Sequence, residues 1–253
     1  MNSRAPGHTR TALALVLCSQ DRSEKENANV GFPVPGQSGA DDLLLRGFAL
    51  TQGRMSFGSA GIRLQIDHVT GHMTEGFCTG DEHSVVYQDE KSLLRALHDI
   101  LRNENRPLLI TWRGTEFDIP FLQSRFQAAG LSTDDLIWTS APLQYGLLRA
   151  RHVDLWQVQC PDLEPLTLED ELAGAIVPTS EKHSGIRKLE VQALGLMLMA
   201  SLVLFNEKQM SPSAYFEFVE SSEKFIEAAS RNRPHLNLRR SYRPLYETAS
   251  EQP

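Results

Sequence analysis

The rhythm of apolar and polar positions changes several times along the chain, and each rhythm predicts an element. "TALALVLC" (Thr11 to Cys18) is apolar at successive positions, the pattern of a strand covered on both faces. Ser19 to Asp42 is polar, carries Pro and Gly and has no period, which predicts a long mobile loop. "LLLRGFALTQG" and "GIRLQIDHVTG" read as two strands of a hairpin, and "MTEGFCTG" as a further short strand. Asp89 to Asn105 places Leu93, Leu94, Leu97, Ile100 and Leu101 at helical spacing. "RPLLITW" predicts a second buried strand, and "EFDIPFLQSRFQAAG" a helix stopped by Gly130. "LTLEDELAGAI" predicts a helix capped by Thr167, with Asp170 three residues on. "IRKLEVQALGLMLMASLVLFNEKQ" predicts a long, mostly buried helix whose stripe Leu189, Leu196, Met197, Met199, Ala200 and Val203 is core. "SPSAYFEFVESSEKFIEAAS" opens with a Ser cap and a Pro at the first helical position. No internal repeat is present. Strands first, then strands alternating with helices, predict an α/β fold with a mixed sheet.

Composition narrows the class. The chain has 253 residues, 41% hydrophobic and 23% charged, ordinary for a globular protein of one large domain with appendages. A net charge of −7 excludes a general attraction to nucleic acid over the whole surface. Cys18, Cys78 and Cys160 are far apart and form no C-x-x-C pair, which fits a reducing, cytoplasmic setting without a disulfide framework. The longest apolar run, Leu194 to Phe205, is too short to span a bilayer, and the N-terminal residues lack a signal-peptide pattern, so no membrane partner is expected. The expected organisation is an N-terminal arm (1–10), a domain (11–230, with the loop at 19–42) and a basic, flexible tail (231–253). Neither a P-loop nor a G-x-G-x-x-G turn occurs.

Candidate chemistry starts with Glu116 and Asp118, placed by "TWRGTEFDIP" at a strand-to-helix junction. That segment, through Thr111, Trp112, Gly114, Phe117, Asp118, Pro120 and Arg125, resembles the second motif of the DEDD 3′–5′ exonucleases. The closest type is the group of predicted exonucleases similar to the proofreading domain of family B DNA polymerases. "RHVDLWQV" (Arg151 to Val158) looks like the same group's R-H-x-D-L stretch. The similarity covers roughly Ala12 to Phe218. It implies a ribonuclease H-like fold: a mixed β-sheet flanked by helices.

The resemblance also implies a reaction, phosphodiester hydrolysis by two divalent metals about 4 Å apart, held by hard carboxylate oxygens. The family supplies D-x-E at the end of the first strand, the Asp of the F-D motif, and an Asp on the last long helix with a Tyr nearby. In this chain the first pair reads Cys18-x-Gln20, with Asp21 one residue late. Asp118 is present as the third acid. The family's Tyr falls at Leu189 and its Asp at Ala193, the nearest acid is Glu190, and no Asp follows Asp170. With one ligand of four left, no two-metal site and no cofactor are expected. Mg²⁺ or Mn²⁺ enters only if Asp21, Glu116, Asp154 or Glu190 converges with Asp118 in an altered active site.

Other residues have simpler readings. Asp118 is expected to cap its helix, Glu116 to be solvated, and His152 and Asp154 to anchor a loop. Asp67, His68 and His72 are expected on a hairpin surface. Cys18 has no His or Asn motif around it to make it a nucleophile. Arg113 stands where the active enzymes carry Asn, and it shifts the cleft's sign. The tail holds Arg231, Arg233, Arg239, Arg240 and Arg243 with no acid through Pro244. These six arginines are the candidate nucleic-acid contacts, since Arg forks onto phosphate. The leading expectation is a catalytically degenerate exonuclease-like protein, a nucleic-acid-binding or scaffold subunit of a DNA- or RNA-processing assembly. The alternatives are an active metal-dependent exonuclease with an altered site and a pure protein-interaction subunit.

Overall fold

One mixed sheet lies between two layers of helix, and its central strand shows why. The computed structural model describes residues 8–21, 43–58, 61–75, 84–103, 107–134, 151–159 and 185–238. Strand β1 (His8–Asp21) pairs antiparallel with β2 (Leu43–Gly58) and parallel with β5 (Leu108–Thr111). With β3 (Gly61–Thr74), β4 (Val85–Tyr87) and β6 (His152–Asp154), the sheet order is β4-β3-β2-β1-β5-β6. A central strand must be apolar on both faces, and the two faces of β1 differ in size. Leu13, Leu15 and Leu17 pack in the layer of α1 (Glu90–Asn103) and α2 (Asp118–Ala128), each contributing about 2 kcal/mol of transfer free energy. Ala12, Ala14, Val16 and Cys18 face the other layer. Their smaller volume suits the close packing there of α4 (Ile186–Asn206), which lies across β1, β2, β3 and β5.

Helix α4 is apolar around nearly its whole circumference, as an enclosed helix must be. By length and composition it could cross a bilayer, but the sheet and α5 (Pro212–Ser230) cover it. Its first turn rests on Gly71 of β3, where a Cβ would come within 2.4 Å of Ile186. Gly130, at φ +73°, closes the chain after α2 in the left-handed region. At the start of α5, Ser211 Oγ accepts from Ala214 N–H at 3.3 Å, with Pro212 in the first turn. A short helix α3 (Leu155–Gln159) follows β6 directly.

Several boundaries move from the sequence reading. Residues 8–10 of the expected arm and 19–21 of the expected loop belong to β1, because pairing with β2 runs from His8 to Asp21. Strand β4 is short and half-exposed, and no alternation in the sequence marks it. The tail expected to be free from Arg231 packs on the domain as far as Leu238: His235, Leu236 and Leu238 are buried. The helix expected at Leu166 to Ile176 and the remainder of the loop lie outside the described residues.

Candidate functional site

The residues that carry the family resemblance bond to one another. Thr111, the last residue of β5, shares a 2.7 Å hydrogen bond with His152 on β6 through its hydroxyl and the imidazole Nε2. The chain then folds back so tightly that a Cβ on Gly114 would lie 1.9 Å from Thr111 Oγ1. Only glycine fits that approach. Asp154 holds the turn from below: Oδ1 accepts from Arg113 N–H (2.9 Å) and Trp156 N–H (3.1 Å), and Oδ2 from Thr115 N–H (2.9 Å). Trp112 and Trp156 meet edge to face with centroids 5.3 Å apart. The two sequence motifs are therefore one physical device, with His152 and Asp154 as its structural anchors. Burial holds His152 down at about 4, against the pull of Asp154, so the ring is neutral near pH 7.

Asp118 begins α2 but does not cap it. The N-cap position is Phe117, and no side chain caps the helix. The side chain of Asp118 has no hydrogen-bond or ion-pair partner among the described residues. The residue keeps some exposed surface but lies among dense neighbours, and desolvation, then the Asp154 charge, push its carboxyl up to about 7. An acid in that condition holds its proton well above the usual carboxylate range.

Among the described residues, the other expected positions do not converge on it as ligands. Cys18 is buried, and desolvation pushes its thiol up to about 11 despite the opposing charges of Lys188 and Arg46. A neutral thiol is neither a nucleophile nor a metal ligand. Gln20 lies in β1, its side chain outside the described residues. Leu189 and Ala193 on α4 are packed in the apolar core. Glu190 is 1% exposed and already engaged: Oε2 meets His235 Nε2 at 2.6 Å, and Oε1 accepts from Arg233 Nη1 at 3.3 Å. Among the described residues, no three His, Cys, Asp or Glu side chains form a cluster able to hold a metal.

The expected basic contacts divide. Arg113 adopts φ 58°, and its guanidinium donates to Glu116 Oε2 at 2.6 Å and 3.1 Å. Glu116 is thus ion-paired rather than merely solvated. Arg233 is turned inward, donating also to the Val69 carbonyl at 2.8 Å, so it fastens the tail instead of facing a strand of nucleic acid. Arg231 is exposed. Arg239, Arg240 and Arg243 lie outside the described residues. His72 is not on the surface: it is buried, stacked 4.4 Å from Phe48 and bonded to Tyr87 Oη at 3.1 Å. Desolvation holds it down at about 4. Asp67 pairs with Arg54 at 3.3 Å, and His68 is exposed.

Two features escaped the sequence. The tail latch on Glu190 joins residues more than forty positions apart, with no local signal. Arg125 of α2 forks onto Glu90 of α1 at 2.6 Å and 2.9 Å, a buried pair that locks the two helices; Glu90 Oε1 also accepts from Leu45 N–H at 2.7 Å. The motif arginine is therefore structural. Residues 71–137 match the family described as DNA polymerase family B, exonuclease domain. The match includes β5, Asp118 and α2, and stops short of both β1 and α4. No curated protein matches the chain.

Proposed function

With an exonuclease domain of the family B polymerase proofreading type as its frame, we propose that this protein has kept the frame and lost the two-metal chemistry. It serves as a nucleic-acid-binding or scaffold subunit of a DNA- or RNA-processing assembly. The observation that carries this reading is the donor set. Two divalent ions need several hard oxygen ligands. At the positions where the resemblance puts the family's acids stand a buried neutral thiol (Cys18), an amide (Gln20), an apolar side chain in the core (Ala193) and one acid, Asp118. Glu190, the nearest substitute on α4, already serves Arg233 and His235. The residues present do not fit a pair of Mg²⁺ ions.

The test is incubation with end-labelled single- and double-stranded DNA and RNA in Mg²⁺ or Mn²⁺, beside Asp118→Ala. The expected result is no cleavage by folded protein. Degradation abolished by Asp118→Ala would overturn the proposal in favour of an active, altered exonuclease. One observation favours that second reading: the charge of Asp154 acts on Asp118, with which no described cation pairs, and a cation would relieve that repulsion.

A further inference from the structure

The end of β1 has a feature that the missing acids do not explain. Cys18 pairs with Gly47 and Ser19 with Leu45, so Arg46 is the extra residue of a β-bulge opposite Cys18. Bulges re-aim a side chain beside functional sites. This one delivers a guanidinium next to the position where the resemblance places the first carboxylate. Leu189 of α4 sits over the same place, its Cδ1 3.6 Å from where a Cβ of Gly47 would stand. The preceding residue on that first turn is Lys188. Both Lys188 and Arg46 act electrostatically on the Cys18 thiol. Arg46 Nε is buried and has no hydrogen-bond partner among the described residues, and no described carboxylate pairs with Arg46. A desolvated donor left without an acceptor is unfavourable in the empty protein and favourable once an acceptor arrives.

We propose that Arg46 and Lys188 form a phosphate-binding site at the end of β1, which holds a phosphodiester of a single-stranded nucleic acid without metal. The inference rests on the nucleic-acid-binding reading above and gives it a location. In a two-metal frame, divalent ions at this place offset the negative charge of the substrate. Here a guanidinium, which forks onto phosphate, and an ammonium, which acts as a compact point charge, take over that offset. The bound strand sees positive charge where the acids would have been, and Asp118 stands aside.

The test is fluorescence anisotropy with a 5′-labelled single-stranded DNA or RNA oligonucleotide in EDTA. It compares the full-length protein with Arg46→Gln, Lys188→Gln, the double variant and Arg46→Lys. Arg63→Gln, an exposed ion-pair residue on β3, is the control. Wild type and control should hold the strand without metal. Each Gln variant should weaken binding roughly threefold or more and lower the salt slope by about 1, and Arg46→Lys should recover part of the loss. A double variant that melts like wild type and binds the strand equally well overturns the site while leaving the proposed function standing. If no strand binds, inorganic pyrophosphate separates the two ideas. A rise in wild-type melting temperature, absent from the double variant, supports the phosphate site and sinks the nucleic-acid reading; no rise sinks both. Binding of a poly-glutamate peptide that depends on Arg46, with no response to any phosphate probe, overturns the site in favour of an acidic protein partner.

Discussion

Replacing Asp118 by Asn measures what it takes to keep an unpaired acid at the start of α2. In the fold its carboxyl stands at about 7, against 3.8 for the ordinary group, because it is desolvated and beside Asp154. An acid with a raised folded value binds its proton more tightly in the folded chain. Its contribution is most favourable below pH 4 and is lost as pH rises towards 7. A rise from 3.8 to about 7 corresponds to ~4 kcal/mol in the limit of full burial, and partial exposure reduces this to ~1–2 kcal/mol. Asn has nearly the same shape and no charge, so the variant should match wild type at pH 4 and exceed it by ~1–2 kcal/mol at pH 8.5. For a chain of this size that is roughly 2–8 °C in melting temperature. Urea unfolding from pH 4 to 8.5 reads it as the difference between the two proteins. The difference matters because His72 and His152, both held at about 4, titrate over the same range with the opposite sign in both proteins and drop out of the comparison. A gap that is flat with pH, or an Asn variant less stable at pH 8.5, would refute the reasoning. A Mn²⁺-dependent rise in wild-type melting temperature that disappears in Asp118→Asn would mark a cation at Asp118 and favour the active-enzyme reading.

Gly114→Ala must push a methyl into Thr111, so chemical denaturation should show a loss of about 3 kcal/mol or more; a loss below 1 would mean the turn has slack. Glu190→Ala removes the carboxylate that half-buried Arg233 and buried His235 share, which should destabilise by about 3 kcal/mol, and hydrogen exchange at residues 235–238 should accelerate beforehand. Arg113→Asn replaces a left-handed arginine by a residue that tolerates that backbone; it should stabilise by about 0.5–1 kcal/mol, since the Glu116 pair it removes is largely solvated and weak. Below about pH 6.5, stability should fall towards pH 4 because the unfolded chain protonates His72 while the buried ring resists, and His72→Gln should flatten that limb of the profile.

The fold was legible wherever burial imposes a period. The all-apolar β1, the leucine stripe of α1 and the apolar length of α4 each name their element, because a side chain that must leave water constrains its own position in sequence. Motif glycines and the Asp118 acid were legible for a similar reason: Gly114 is the one residue that fits against Thr111. That Cys18, Gln20 and Ala193 carry no carboxylate was also plain from residue type alone. What the sequence could not fix were choices between chemically equal partners far apart in the chain. Arg113, Arg125 and Arg233 look alike as cations, yet Glu116, Glu90 and Glu190 claim them, while Arg46 is left beside Cys18 by a one-residue slip in strand pairing. His72 reads as a hairpin-surface residue and is a core ring stacked on Phe48. Local pattern determines which residues are buried, because burial follows from periodicity. Tertiary register alone decides which charges meet, because a charge can be neutralised by any opposite charge that the fold brings within reach.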